Sequence, residues 1–141
     1  MLSINANAVY VAHYSPLVDR RKSLERQLDE IKVKATWFEN EPASHEAEML
    51  YETSIDEWRR KSALGYKHTE PYRKLNKADI SLLYKHIKIW EAIVEENIEI
   101  CLVLEDDIIF EEDFVNKFNL NLHQTPRDWD FIFIGSGCNL R

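Results

Sequence analysis

Residues 101–110 read CLVLEDDIIF: an apolar run, three consecutive carboxylates, then apolar residues again. CLVL is apolar on both alternating faces, as strands buried in a parallel sheet are, and predicts such a strand. Glu105, Asp106 and Asp107 follow directly at its carboxyl end. A carboxylate that leaves water costs free energy unless it is paired, hydrogen-bonded or bound to a metal. Two readings explain the triplet. One is a solvated acidic turn; the other is a ligand site, which α/β sheets form outside the carboxyl ends of their strands. If extended geometry continues, Glu105 and Asp107 project to one face and Asp106 to the other. Two carboxylates two apart can share a hard cation, Mg²⁺ or Mn²⁺, which prefers oxygen ligands.

Upstream of this strand, residues 76–96 carry the clearest helical periodicity, with Ile80, Leu83, Ile87, Trp90 and Val94 spaced three or four apart. Asn76 suits the N-cap with Asp79 in the first turn, and Asn97 suits the end. Nearer the N-terminus, residues 8–13 (AVYVAH) read as a strand ended by Tyr14-Ser15-Pro16. A helix follows from about Asp19, with Leu24, Leu28 and Ile31 on one face, and VKATWF (33–38) alternates as a second strand. Ser54-Ile55-Asp56-Glu57 matches a capping box opening a helix that Gly65 could end. Residues 66–75 read as loop. After the triplet, a short helix over 112–122, a break at Pro126 and a buried strand FIFI (131–134) are expected. Asp128-Trp129-Asp130 repeats the Asp-x-Asp spacing but precedes its strand, at the edge where ligands do not bind. Asp130 is therefore read as hydrogen bonding at the strand's start, and Trp129 as core. Strands alternating with helices predict one α/β domain over residues 1–141 with a mainly parallel sheet.

Composition removes other classes. The 141 residues include 25 acidic and 18 basic side chains, net −7, with no basic run, which disfavours nucleic-acid binding through phosphates. With three glycines and no GxxxxGK[ST] or GxGxxG, the common phosphate-cradling loops are absent. Cys101 and Cys138 form no metal-binding spacing and read as buried thiols of a reducing compartment. MLSINANAVYVAHY has no signal-peptide pattern, and no stretch reaches the length of a membrane span. A cytoplasmic protein is expected, with any membrane association peripheral.

LVLEDDIIF, preceded by a helix carrying KHIKIW and an opening VYV…DRRKSLERQL, resembles glycosyltransferase family 25. That family includes lipopolysaccharide (lipooligosaccharide) and collagen galactosyltransferases. The resemblance implies a GT-A-like (Rossmann-like) nucleotide-sugar-binding fold. It implies a UDP-sugar donor, commonly UDP-galactose, a divalent cation (Mn²⁺ or Mg²⁺), and a glycan, lipid-linked oligosaccharide or protein acceptor. By resemblance Asp107 is the metal ligand with Glu105 assisting, and Asp106 meets donor ribose or sugar hydroxyls. His13 and Tyr14 would lie beside the base, Arg20 or Arg21 beside phosphate or ribose, and His86 in the donor pocket. For the arginines a solvated first helical turn remains the alternative, and for His86 a satisfied structural histidine.

The sequence departs from the family where His13-Tyr14 stands for Asn-Leu and Lys85 for the Ser before His86. Family members continue well past the position of Arg141, so the chain is expected to lack the acceptor half, and no catalytic base can be named. A metal-assisted hexosyltransferase is the expected function. The alternative is a donor-half module that binds nucleotide or a partner without turnover.

Overall fold

The run AVYVA becomes β1 (Ala8–Ala12), the central strand of a three-stranded parallel sheet. The computed structural model describes residues 3–65 and 75–135. Its other elements are α1 (Val18–Glu30), β2 (Thr36–Phe38), α2 (Ser44–Ala63), α3 (Lys77–Glu95), β3 (Cys101–Glu105) and α4 (Phe114–Gln124). The expected α/β class and parallel sheet are both present.

A central parallel strand must be apolar on both faces because helices cover both. Val9 and Val11 pack with Leu102 and Leu104 of β3 against Leu24 and Leu28 of α1. On the opposite face Tyr10 and Ala12 pack against Ile89 of α3. Order β2-β1-β3 explains this division. The chain leaves β1 in one direction to reach β2 and returns past β1 to reach β3, so right-handed crossovers put α1 and α3 on opposite faces. Phe114 and Phe118 of α4 add to the α1 side, and α2 packs on α3. Each fully buried Leu or Val contributes about 1.5–3 kcal/mol, so the two clusters hold the sheet from both sides.

Local signals set the helix ends. Asn76 Oδ1 accepts from the amides of Ala78 (2.8 Å) and Asp79 (3.0 Å), and Asp79 accepts from the Asn76 amide (2.8 Å). This is the reciprocal capping box. Asn97 takes φ 52°, and the amides of Asn97 and Ile98 reach back to the carbonyls of Val94 and Ile93, which stops α3 as expected. Gly65, at φ 78°, follows α2.

Several expectations are corrected. The strand predicted over 33–38 is paired only at Thr36–Phe38. The helix predicted from the Ser54 box begins at Ser44, where Glu46 accepts from the Ala43 amide at 2.8 Å. Ser54 sits mid-helix and donates to the Tyr51 carbonyl at 2.7 Å, so its hydroxyl is satisfied without a cap. The buried stripe of α3 is also rotated from the predicted one. It runs through Ile80, Ser81, Lys85 and Ile89, while Trp90 and Val94 stay exposed. A lysine and a serine can occupy that stripe because they bond to each other, Lys85 Nζ to Ser81 Oγ at 2.6 Å.

A further correction concerns residues 131–134. They form no strand, and Phe133 is 88% exposed. An apolar run becomes a buried strand only with a ladder partner and cover on both faces. Among the described residues β3 ends the sheet, and Phe131, Ile132 and Ile134 line an apolar groove of about 520 Å³ together with the exposed Trp90 and Val94. Trp129 lines the same groove rather than a core, and Asp130 is exposed. Cys101 also borders it, half-buried rather than buried; burial pushes its thiol up to about 11. Residues 66–74, read as loop, and Cys138 lie outside the described residues. Among the described residues no helix is long and apolar enough to cross a membrane.

Candidate functional site

Strand register brings the site together. Ala12 pairs with Phe38 of β2 and with Glu105 of β3, so all three strands end in one row. The residues that follow β1 and β3 are therefore neighbours. Because the chain turns to opposite sides after β1 and after β2, the seam between β1 and β3 is the topological switch point, where open α/β sheets bind ligands.

At that seam the alternation expected for the triplet is observed: Glu105 and Asp107 are exposed and Asp106 is buried. Asp106 is the hub. His13 Nδ1 lies 2.8 Å from its Oδ2, the Tyr14 amide donates to the same oxygen at 3.2 Å, and Arg20 Nη1 donates to Oδ1 at 3.1 Å. Burial would raise the Asp106 pKa, but the His13, Arg20 and Tyr14 hydrogen bonds outweigh it and hold the carboxyl below its usual range. Since an ionised carboxylate only accepts, His13 Nδ1 is the donor of this pair. His13 is 2% exposed and sets its ring edge-on to Trp37, centroids 5.5 Å apart. Asp106 thus fastens the β1–α1 loop to the end of β3.

The exposed carboxylates have lighter ties. Asp107 accepts from Arg20 Nη1 at 3.3 Å, and its side chain is 54% exposed. Glu105 Oε1 lies 3.3 Å from His86 Nε2, and that hydrogen bond holds its carboxyl below the usual range despite partial burial. His86 in turn packs near Trp90, centroids 6.0 Å apart. Among the described residues no group of three or more His, Cys, Asp or Glu side chains is gathered for a metal. Glu105 and Asp107 are the water-accessible carboxylates of this seam, and carboxylate oxygens are the ligand type that Mg²⁺ takes beside phosphates.

The two arginines separate. Arg20 reaches the triplet with its side chain 48% exposed. Arg21 turns away, its guanidinium 3.7 Å from the Trp37 ring centroid, bonded to Glu25 at 2.5 Å and to Glu39. One group escaped the sequence reading. Lys85, noted only as a departure from the family pattern, is 2% exposed, with Nζ 2.5 Å from Glu41 of the β2–α2 loop and 5.8 Å from the Tyr14 ring centroid. A charged residue on the Ser81–Ile89 stripe was the available signal.

Residues 7–137 match the family model described as glycosyltransferase family 25 (LPS biosynthesis protein). A procollagen galactosyltransferase 1-B of Xenopus laevis is 31% identical over 90% of this chain and 21% of its own length. A glycosyltransferase 25 family member of Drosophila melanogaster is 27% identical over 94% of this chain and 21% of its own. A human protein named inactive glycosyltransferase 25 family member 3 is 30% identical over 50% of this chain and 12% of its own. The chain therefore spans about a fifth of the length of the first two. No solved structure matches it.

Proposed function

The chain belongs to glycosyltransferase family 25, and on that premise we propose that it is the donor-binding part of a metal-assisted galactosyltransferase using UDP-galactose. The observation that carries the reading is the acidic run at the carboxyl end of β3, facing the β1–α1 loop across the switch point. The fold family implies a divalent cation, and the carboxylates of Asp107 and Glu105 are the groups that would hold it. When bound, such a cation neutralises charge growing on the departing diphosphate.

The chain's own residues have separate tasks. Asp106 keeps Tyr14 and Arg20 at the seam through its buried carboxylate. Arg20, half-exposed, can turn its guanidinium from Asp107 toward a donor phosphate, where a planar fork matches phosphate oxygens. His86 restrains Glu105. An acceptor hydroxyl, on a glycan, a lipid-linked oligosaccharide or a protein, would attack the anomeric carbon with inversion as the sugar–phosphate bond breaks. The protein contributes position and charge stabilisation.

Titration of UDP-galactose by calorimetry with and without Mn²⁺ tests this. Micromolar binding that EDTA abolishes is expected; no heat under either condition contradicts the reading. One observation favours a second reading, a donor module without turnover: the chain is similar to a family member named inactive. Metal-dependent binding with no galactose transferred to any acceptor would select it.

A further inference from the structure

Lys85 is a fully buried ammonium whose partners converge from three elements. Glu41 lies beyond β2, Ser81 on its own helix α3, and Tyr14 beyond β1. Burying a lysine costs several kcal/mol unless its charge and its donors are used. Glu41 Oε1 at 2.5 Å supplies the countercharge, and Ser81 Oγ at 2.6 Å accepts a hydrogen bond from a second N–H. The face of Tyr14 lies within cation–π range of the same nitrogen.

Tyr14 itself is held from two directions. Its amide donates to Asp106 at 3.2 Å, which fixes its backbone, and its ring rests above Lys85. The residue is nevertheless 48% exposed. An aromatic ring braced by a cation and half exposed to water is a platform for a flat ring. His13, the other aromatic of this loop, is 2% exposed and occupied by Asp106 and Trp37, so it offers no such surface.

We propose that Lys85 is a positioning residue that, clamped by Glu41 and Ser81, holds the Tyr14 ring as the stacking surface for the nucleobase of the donor. The proposal rests on the nucleotide-sugar reading above. It divides that site into two parts: a phosphate end at Asp107 and Arg20, and a base end at Tyr14 backed by Lys85.

That division makes a test possible. Calorimetric affinities for UDP and for inorganic pyrophosphate, both with Mn²⁺, are compared across the full 141-residue chain and its variants. Lys85→Met should weaken UDP binding about tenfold, a loss of about 1.4 kcal/mol, and leave pyrophosphate within about twofold. Lys85→Arg should recover most of the UDP affinity. Glu41→Gln, at a partly exposed side chain that tolerates substitution, should shift UDP in the same direction by about threefold. Equal losses for UDP and pyrophosphate, or unchanged UDP binding in Lys85→Met and Glu41→Gln, overturn the proposal. If the unaltered chain binds pyrophosphate but shows no preference for UDP, the base platform fails while the metal-phosphate end stands. If it binds neither ligand, the parent reading falls and takes the platform with it.

Discussion

The two flanks of β3 carry opposite chemistry. Its inner flank pairs with β1 through five residues in register and ends in a buried carboxylate with three hydrogen-bond partners. Among the described residues its outer flank ends the sheet, and it opens on an apolar groove bordered by Phe131, Ile132 and Ile134. Each flank also has an Asp-x-Asp-like pair nearby. Glu105 and Asp107 follow the strand at the switch point; Asp128 and Asp130 are exposed beside a segment that forms no strand. The spacing of acids is thus uninformative by itself. A well-paired strand behind them is what gives them a fixed geometry.

If the inner flank is the rigid one, the largest effect should come from its hub. Asp106→Ala leaves His13 buried without its partner and frees Arg20, and should lower unfolding free energy by about 3 kcal/mol, read by urea denaturation. A loss below about 1 kcal/mol would mean the hub is dispensable. The next effect is pH dependence. The folded-state pKa values of Asp106 and Glu105 are depressed, so their contribution is present above the unfolded carboxylate range near about 4 and is lost as pH falls through the folded values. Melting temperature should therefore drop on acidification below about pH 4, and Asp106→Asn should flatten that slope. An equally steep slope in Asp106→Asn would assign the acid sensitivity elsewhere. Smallest should be the outer flank: Trp90→Ala, at a half-exposed side chain over the groove, should change stability by no more than about 0.5 kcal/mol. A loss comparable to that of Asp106→Ala would show the groove to be covered in solution.

The inner flank was largely legible in the sequence. CLVL and AVYVA are apolar at every position because both faces of a central parallel sheet are covered, and the triplet's place followed from strand polarity. The side to which Asp106 points followed from alternation alone. Its partners did not, because His13 and Arg20 reach it across more than eighty residues, through a register that local patterns do not specify. The outer flank misled. FIFI has the composition of a buried strand, but strand formation depends on a neighbour, which composition cannot supply. The α3 stripe failed for a related reason. Counting apolar residues favoured Trp90 and Val94, whereas Ser81 and Lys85 are buried by bonding to each other and to Glu41.

Whether the inner flank is a donor site is tested most directly by UDP affinity, with Mn²⁺ present, in Asp107→Ala against Asp128→Ala. Asp107→Ala should weaken binding by more than about tenfold, while Asp128→Ala should stay within about twofold of the unaltered chain. Unchanged affinity in Asp107→Ala, or a larger loss in Asp128→Ala, would contradict the assignment.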